Sequence, residues 1–202
     1  MAQGEIHLIS DGKLSLRQFI NKMTVLHPLA DYIHLREKHL SARELLSAGE
    51  QLLLAGIPAS KLIINDRIDV AVILGAGGVQ LAWHSLKPAA ARVLGPRLRL
   101  GSSVHSSEEA SEAAGQGADY CLFGHVYLTA SKPGQPERGL DLLADIVRHS
   151  PIPVIAIGGI KPNNVAKVME QGVAGIAVMS GICGAADPVT AMNAYRTAMQ
   201  RR

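Results

Sequence analysis

Val154-Ile155-Ala156-Ile157-Gly158-Gly159-Ile160 and, one helical stretch later, Ile176-Ala177-Val178-Met179-Ser180-Gly181-Ile182 are one phrase written twice. Each is a short, continuous apolar run that stops at a small residue and glycine. Continuous apolar runs of this length read as parallel strands buried on both faces. Between them Asn163 through Gly172 carries a helical pattern, and Gly172 precedes the second run as a helix-ending residue. The pair is therefore a strand, a helix and a strand.

Working outward, the same unit recurs along the chain. Strand-like runs fall at Ile6–Ser10, Tyr32–Leu35, Leu62–Ile64, Val79–Leu81, Leu98–Gly101 and Tyr120–Phe123, before the two just quoted. Helix starts announce themselves between the runs. Ser41 with Glu44, and Ser106 with Glu109, have the spacing of capping boxes. Asp187-Pro188 offers an N-cap followed by proline at the first helical position, and Pro162 suggests the same for the seventh helix. Gly56, Gly75 and Gly115 mark helix ends, as Gly172 does. Eight uninterrupted units favour a closed barrel over an open, doubly wound sheet. The expectation is a single (β/α)8 TIM barrel spanning residues 1–202.

Composition bounds the function. Hydrophobic residues make up 48% of the 202, which suits one packed core. No apolar run reaches the ~18 residues of a membrane span, and no leader pattern opens the chain, so a cytoplasmic protein is expected. Net charge is only +3 and aromatic residues are 3%, which argues against a nucleic-acid surface. Cys121 and Cys183 lack metal-ligand spacing and read as buried thiols in a reducing compartment. Neither a metal site nor a cofactor motif stands out, and Asp66 is a lone carboxylate beside Arg67.

In such barrels the chemistry sits on the loops that follow the strands. Gly158-Gly159 and Ser180-Gly181 follow the last two, where barrels often hold phosphate on backbone N–H groups. Arg36 and Lys38 lie two residues apart beyond the second strand, so both point to one side. They either attract an anion or lie solvated, with Glu37 neutralising one charge. The longest loop follows strand six, carries Lys132 and Arg138, and reads as a functional flap. His125 stands at its base; an imidazole can take and return a proton near neutral pH, which makes it the candidate acid–base group. His105 and His84 are secondary candidates.

Taken together, His34-Leu35-Arg36-Glu37-Lys38, Ile64-Asn65-Asp66, Gly117-Ala118-Asp119-Tyr120, Val154 through Ile160 and Gly175 through Ile182 resemble the thiamin phosphate synthase superfamily over nearly the whole chain. The resemblance implies a small β/α barrel that holds a thiazole phosphate on its last two loops. Synthases of the family bind a pyrimidine pyrophosphate with magnesium. Their pattern has glutamine where this chain has His34, a second metal carboxylate where it has Ser85, and proline where it has His125.

Those departures, with Leu122-Phe123-Gly124-His125-Val126 and Ser103-Val104-His105-Ser106, resemble the thiazole tautomerase branch. That likeness implies a cofactor-free isomerase aromatising a carboxythiazole phosphate tautomer in thiamin biosynthesis. His125 would shuttle the proton, and the N–H groups of Gly159, Ser180 and Gly181 would hold the phosphate. Arg36, Lys38 or Lys132 would meet the carboxylate, and Asn65 and Ser103 the ring. Arg36, Lys38, Thr129 and Lys132 are shared with the synthases, so a synthase is the alternative, and a non-catalytic thiazole phosphate-binding regulator the third reading. Helix faces of barrels often pair, which suggests a homodimer.

Overall fold

The computed structural model describes residues 4–200. Eight parallel strands close into a barrel in sequence order, with the last pairing to the first. They are β1 (Glu5–Ile9), β2 (Tyr32–Leu35), β3 (Leu62–Asn65), β4 (Gly78–Leu81), β5 (Arg99–Val104), β6 (Tyr120–Gly124), β7 (Val154–Ile157) and β8 (Gly175–Val178). Closure is set by register: Glu5 stands opposite Gly175 and Leu8 opposite Val178. The helices outside are α1 (Leu16–Leu26), α2 (Ala42–Leu54), α3 (Ile68–Leu74), α4 (Pro88–Leu94), α5 (Ser107–Gly115), α6 (Gly139–His149), α7 (Val165–Met169), the short α8 (Ser180–Cys183) and α9 (Pro188–Gln200). A single 3-10 turn, Ala59–Lys61, precedes β3.

The alternation of side chains along each strand makes two cores. Ile6, Leu8, Ile33, Leu35, Ile64, Val79 and Phe123 are among the outward residues sealed beneath the helices. Ile9, Tyr120, Leu122, Ile155 and Ala177 form a separate inner cluster. The remaining interior is polar, with His7, His34 and Gln80 buried. Cys121 and Cys183 are buried free thiols, and burial pushes them up to about 11 and about 12. They are part of the packing, as expected.

Several local readings need correction. β5 does not stop at Gly101 but runs to Val104. Glycine is there because a β-carbon would sit 2.2 Å from the Tyr120 ring and 2.3 Å from Gln80 Oε1, so it marks crowding across the barrel and not a turn. Ser41 and Glu44 form a full capping box. Ser106 caps α5, but Glu109 accepts from the N–H of His105, not of Ser106, so that box is half made. Ser15 and Gln18 form a full box that the pass along the chain missed. Pro162 lies in a turn ahead of α7, which Asn164 precedes. Gly115 is the last residue of α5, as expected, and Gly117 beyond it is the left-handed one.

Arg196 on α9 ties the last helix to the segments that precede β1 and β2. It donates to the carbonyls of Leu29 (2.8 Å) and Gly4 (3.0 Å) and pairs with Asp31 Oδ2. That same carboxylate oxygen accepts from the N–H of Ile6 at 2.7 Å. Among the described residues no helix is long and apolar enough to cross a membrane.

Candidate active site

The mouth of the barrel has two sides. On one, the loops after β7 and β8 present donors. The N–H groups of Gly159, Ser180 and Gly181 have no acceptor among the described residues. Ser180 and Gly181 are exposed at the start of α8, where the first N–H groups of a helix lack internal partners. Packing also dictates the glycines. A β-carbon on Gly158 would lie 2.4 Å from His125 Cβ, and one on Gly159 2.6 Å from the carbonyl oxygen of Leu128. Val126 and Tyr127 donate to the carbonyls of Ile157 and Gly158, so the base of loop six is laced onto loop seven. Tyr195, whose hydroxyl donates to the Ile160 carbonyl at 2.9 Å, leaves no room for a side chain at Gly181.

His125 is 4% exposed, and both its ring nitrogens are buried without a partner. Among the described residues no hydrogen bond fixes its tautomer.

Loop six returns on itself: Arg138 and Gly139 donate to the carbonyls of His125 and Val126. It encloses a depression of about 570 Å³ whose walls include Thr129, Lys132 and Gln135. Burial and then the charge of Arg138 hold the Lys132 ammonium below its usual range. Both influences disfavour a bare cation, so an anion beside it would be stabilised.

Across the mouth, the loops after β2, β3 and β4 enclose a cavity of about 340 Å³ lined in part by Glu37, Lys38, Asn65, Asp66, Arg67 and His84. Lys38 and Asn65 are thus brought together. Arg36 is partly buried and not part of that lining; burial lowers its proton affinity, against the pull of Glu37. Ser103 lies within β5, not in a loop, and its hydroxyl accepts from Gln80 Nε2 at 3.2 Å. Arg67 turns aside to pair with Asp69. Lys132 thus enters the mouth from the side of β6, and Lys38 and Asn65 from the side of β2 and β3.

Beneath the mouth runs a polar chain that the sequence reading missed. His7 Nε2 meets Glu5 at 3.0 Å, and His7 Nδ1 meets His34 Nε2 at 2.8 Å. Donation from His7 to the carboxylate leaves its other nitrogen as acceptor, so His34 carries its proton on Nε2. Arg99 pairs with Glu5 and lies over the rings of Tyr32 and Tyr120. Burial first, and then the fields of His7 and Arg99, hold His34 well below the usual imidazole range. Burial also lowers His7, against Glu5. Glu5 would be raised by burial, but its bonds from His7 and Arg99 outweigh that and keep it low. The available signal was period two: Glu5, His7, Tyr32 and His34 alternate onto the inner face.

Magnesium, which the family resemblance implies, is poorly matched. Asp66 supplies one carboxylate. Ser85 stands where the second would be, and its hydroxyl accepts from the N–H of Ala82 at 2.8 Å. Among the described residues no group of three or more His, Cys, Asp or Glu side chains could hold a metal ion.

A closed β/α barrel with free backbone donors on its last two loops and cationic side chains around its mouth belongs to the phosphate-handling class of such barrels. The chain matches the thiamine monophosphate synthase family over residues 6–182, and it belongs to that family. It is 39% identical to the thiamine-phosphate synthase of Roseiflexus castenholzii across 95% of this chain and 86% of that one. It is 42% identical to that of Chloroflexus aurantiacus across 80% and 76%. The solved thiamine phosphate pyrophosphorylase from Pyrococcus furiosus superposes with a TM-score of 0.85 at 34% identity, covering 98% of this chain and 96% of its own.

These likenesses overturn the isomerase expectation. Relatives of high coverage are synthases, so the thiazole tautomerase assignment gives way. The departures at His125 and Ser85 were given too much weight against the rest of the chain.

Proposed function

We propose that this chain is a transferase of the thiamine-phosphate synthase kind, coupling a pyrimidine pyrophosphate to a thiazole phosphate. The observation that carries the reading is similarity to synthases along nearly the whole chain. In the reaction a bond forms between the thiazole nitrogen and the pyrimidine methylene, while the bond from that methylene to pyrophosphate oxygen breaks. The N–H groups of Gly159, Ser180 and Gly181 are suited to the thiazole phosphate, because they are unpaired donors beside a helix start. Lys38, Lys132 and Arg36 are suited to the leaving pyrophosphate, whose charge they would offset. Asn65 and Ser103 supply polar groups for a ring. His125 in this reading is a wall against which Gly158 packs.

The test is to incubate the protein with both substrates and, in parallel, Mg²⁺, Mn²⁺ or Co²⁺, following pyrophosphate release and thiamine phosphate by chromatography. Product with any of the cations supports the assignment. Binding of thiazole phosphate with no product under any cation defeats it.

A further inference from the structure

Among the described residues nine large apolar side chains are exposed, and seven of them fall between Leu54 and Leu94. They collect on one flank of the barrel. Val72 and Ile73 stand on the outside of α3, Val93 and Leu94 on the outside of α4, and Leu54 ends α2. α3 packs between the other two helices. Trp83 and Leu86 lie on the loop that leads into α4. Ile73 is 68% exposed and Val93 81%, so these side chains contribute little to the core of their own chain.

The other long helices face outward differently. α1, α2, α5, α6 and α7 each present an exposed charge, as at Arg17, Glu50, Glu112, Arg148 and Lys167. α3 and α4 hold one charged residue apiece, and each already has its partners. Asp69 is paired with Arg67, while Arg92 turns back to the carbonyls of Leu98 and Gly117. Ala89 and Ala90, also exposed, form a low strip on α4 beside the ridge of Val72 and Ile73.

We propose that the α3–α4 flank is a homodimer interface, covered by the same flank of a second copy of this chain. The exposed fractions correspond to on the order of 800 Å² of apolar surface, beyond the roughly 300–600 Å² of a monomer's largest patch and close to what each partner gives to a standard interface. The centre of such interfaces is depleted of charge, as this flank is. Two-fold pairing sets a surface against itself, so each protruding group must meet a matching depression on the same face. Ridge and strip lie side by side here, so Val72 and Ile73 of one copy can seat on Ala89 and Ala90 of the other, and the reverse. A charged partner would find no free charge on α3 or α4 to pair with.

The test is sedimentation velocity of the full chain from about 0.1 to 100 µM, the weak end of the range for an interface of this size. Trp83, the sole tryptophan, reports in parallel through its fluorescence. Expected is a monomer that converts to a dimer as concentration rises, with Trp83 emission moving to shorter wavelength in step. Ile73→Glu and Val93→Glu should each raise the dimer dissociation constant by roughly tenfold or more, since each buries an unpaired charge. Ala90→Tyr should weaken pairing too, because it fills the strip while keeping the face apolar. Val25→Glu, at an exposed apolar residue on α1, should change nothing. Circular dichroism of each variant should match the native chain. A monomer at every concentration would overturn the proposal, as would a dimer indifferent to both Ile73→Glu and Val93→Glu. Open-ended aggregation, or a monomer that binds phosphatidylglycerol vesicles through this flank, would overturn it as well.

Discussion

Gly158 has no room for a methyl group. Its φ is +100° and an added β-carbon would overlap His125, so Gly158→Ala combines left-handed strain with overpacking. A loss of about 2–4 kcal/mol is expected, read as a lower urea midpoint at constant slope. Lys38 is the contrasting case. It is exposed on the wall of the Asp66 cavity, so Lys38→Ala should leave stability within about 0.5 kcal/mol of the native protein. The expected effect is a rise of roughly tenfold in KM for the pyrophosphate substrate. Steady-state kinetics beside urea denaturation separate the two behaviours. The mouth residues were legible one at a time, because glycine and charge at strand ends have few other uses. Their placement around the mouth was not, because it depends on the direction each loop takes after leaving its strand.

At the level of elements, Ser15 accepts from the N–H of Gln18 while the Gln18 side chain accepts from the N–H of Ser15, closing the start of α1. Ser15→Ala should cost about 1 kcal/mol, measured by urea denaturation. The S-x-x-Q spacing was readable, and the eight strands were found at nearly their observed bounds because apolar runs buried on both faces leave little ambiguity. The end of β5 is the exception. Gly101 was read as its last residue, yet that glycine answers to side chains arriving from β4 and β6 and the strand continues to Val104. Such contacts are long-range, and spacing along one segment carries no trace of them.

On the scale of the whole molecule, the Glu5–His7–His34 chain links protonation to folding. His7 and His34 are held below their ordinary value in the folded state, so the unfolded chain takes up protons first as pH falls. Their contribution is fully present above about pH 6.5 and is lost as pH falls from there toward the folded values. Glu5, also held low, adds a loss at more acid pH in the same direction. The urea midpoint should therefore decline from pH 8 to pH 5, and His34→Gln should flatten that decline while keeping a donor toward His7. Equal slopes in the two proteins would refute the link. The family was legible from the assembled motifs, whereas the reaction was misjudged from two positions, since a substituted residue shows what was lost without showing what its replacement does.

The Arg196 clamp and the β1–β8 seam bring Gly4 within hydrogen-bonding reach of the final helix. The order in which the eight units are written is therefore separable from the barrel they build. A circular permutant that joins the present ends by a short linker and opens new ones at the exposed tip of loop six, near Gly134, would preserve every strand pairing.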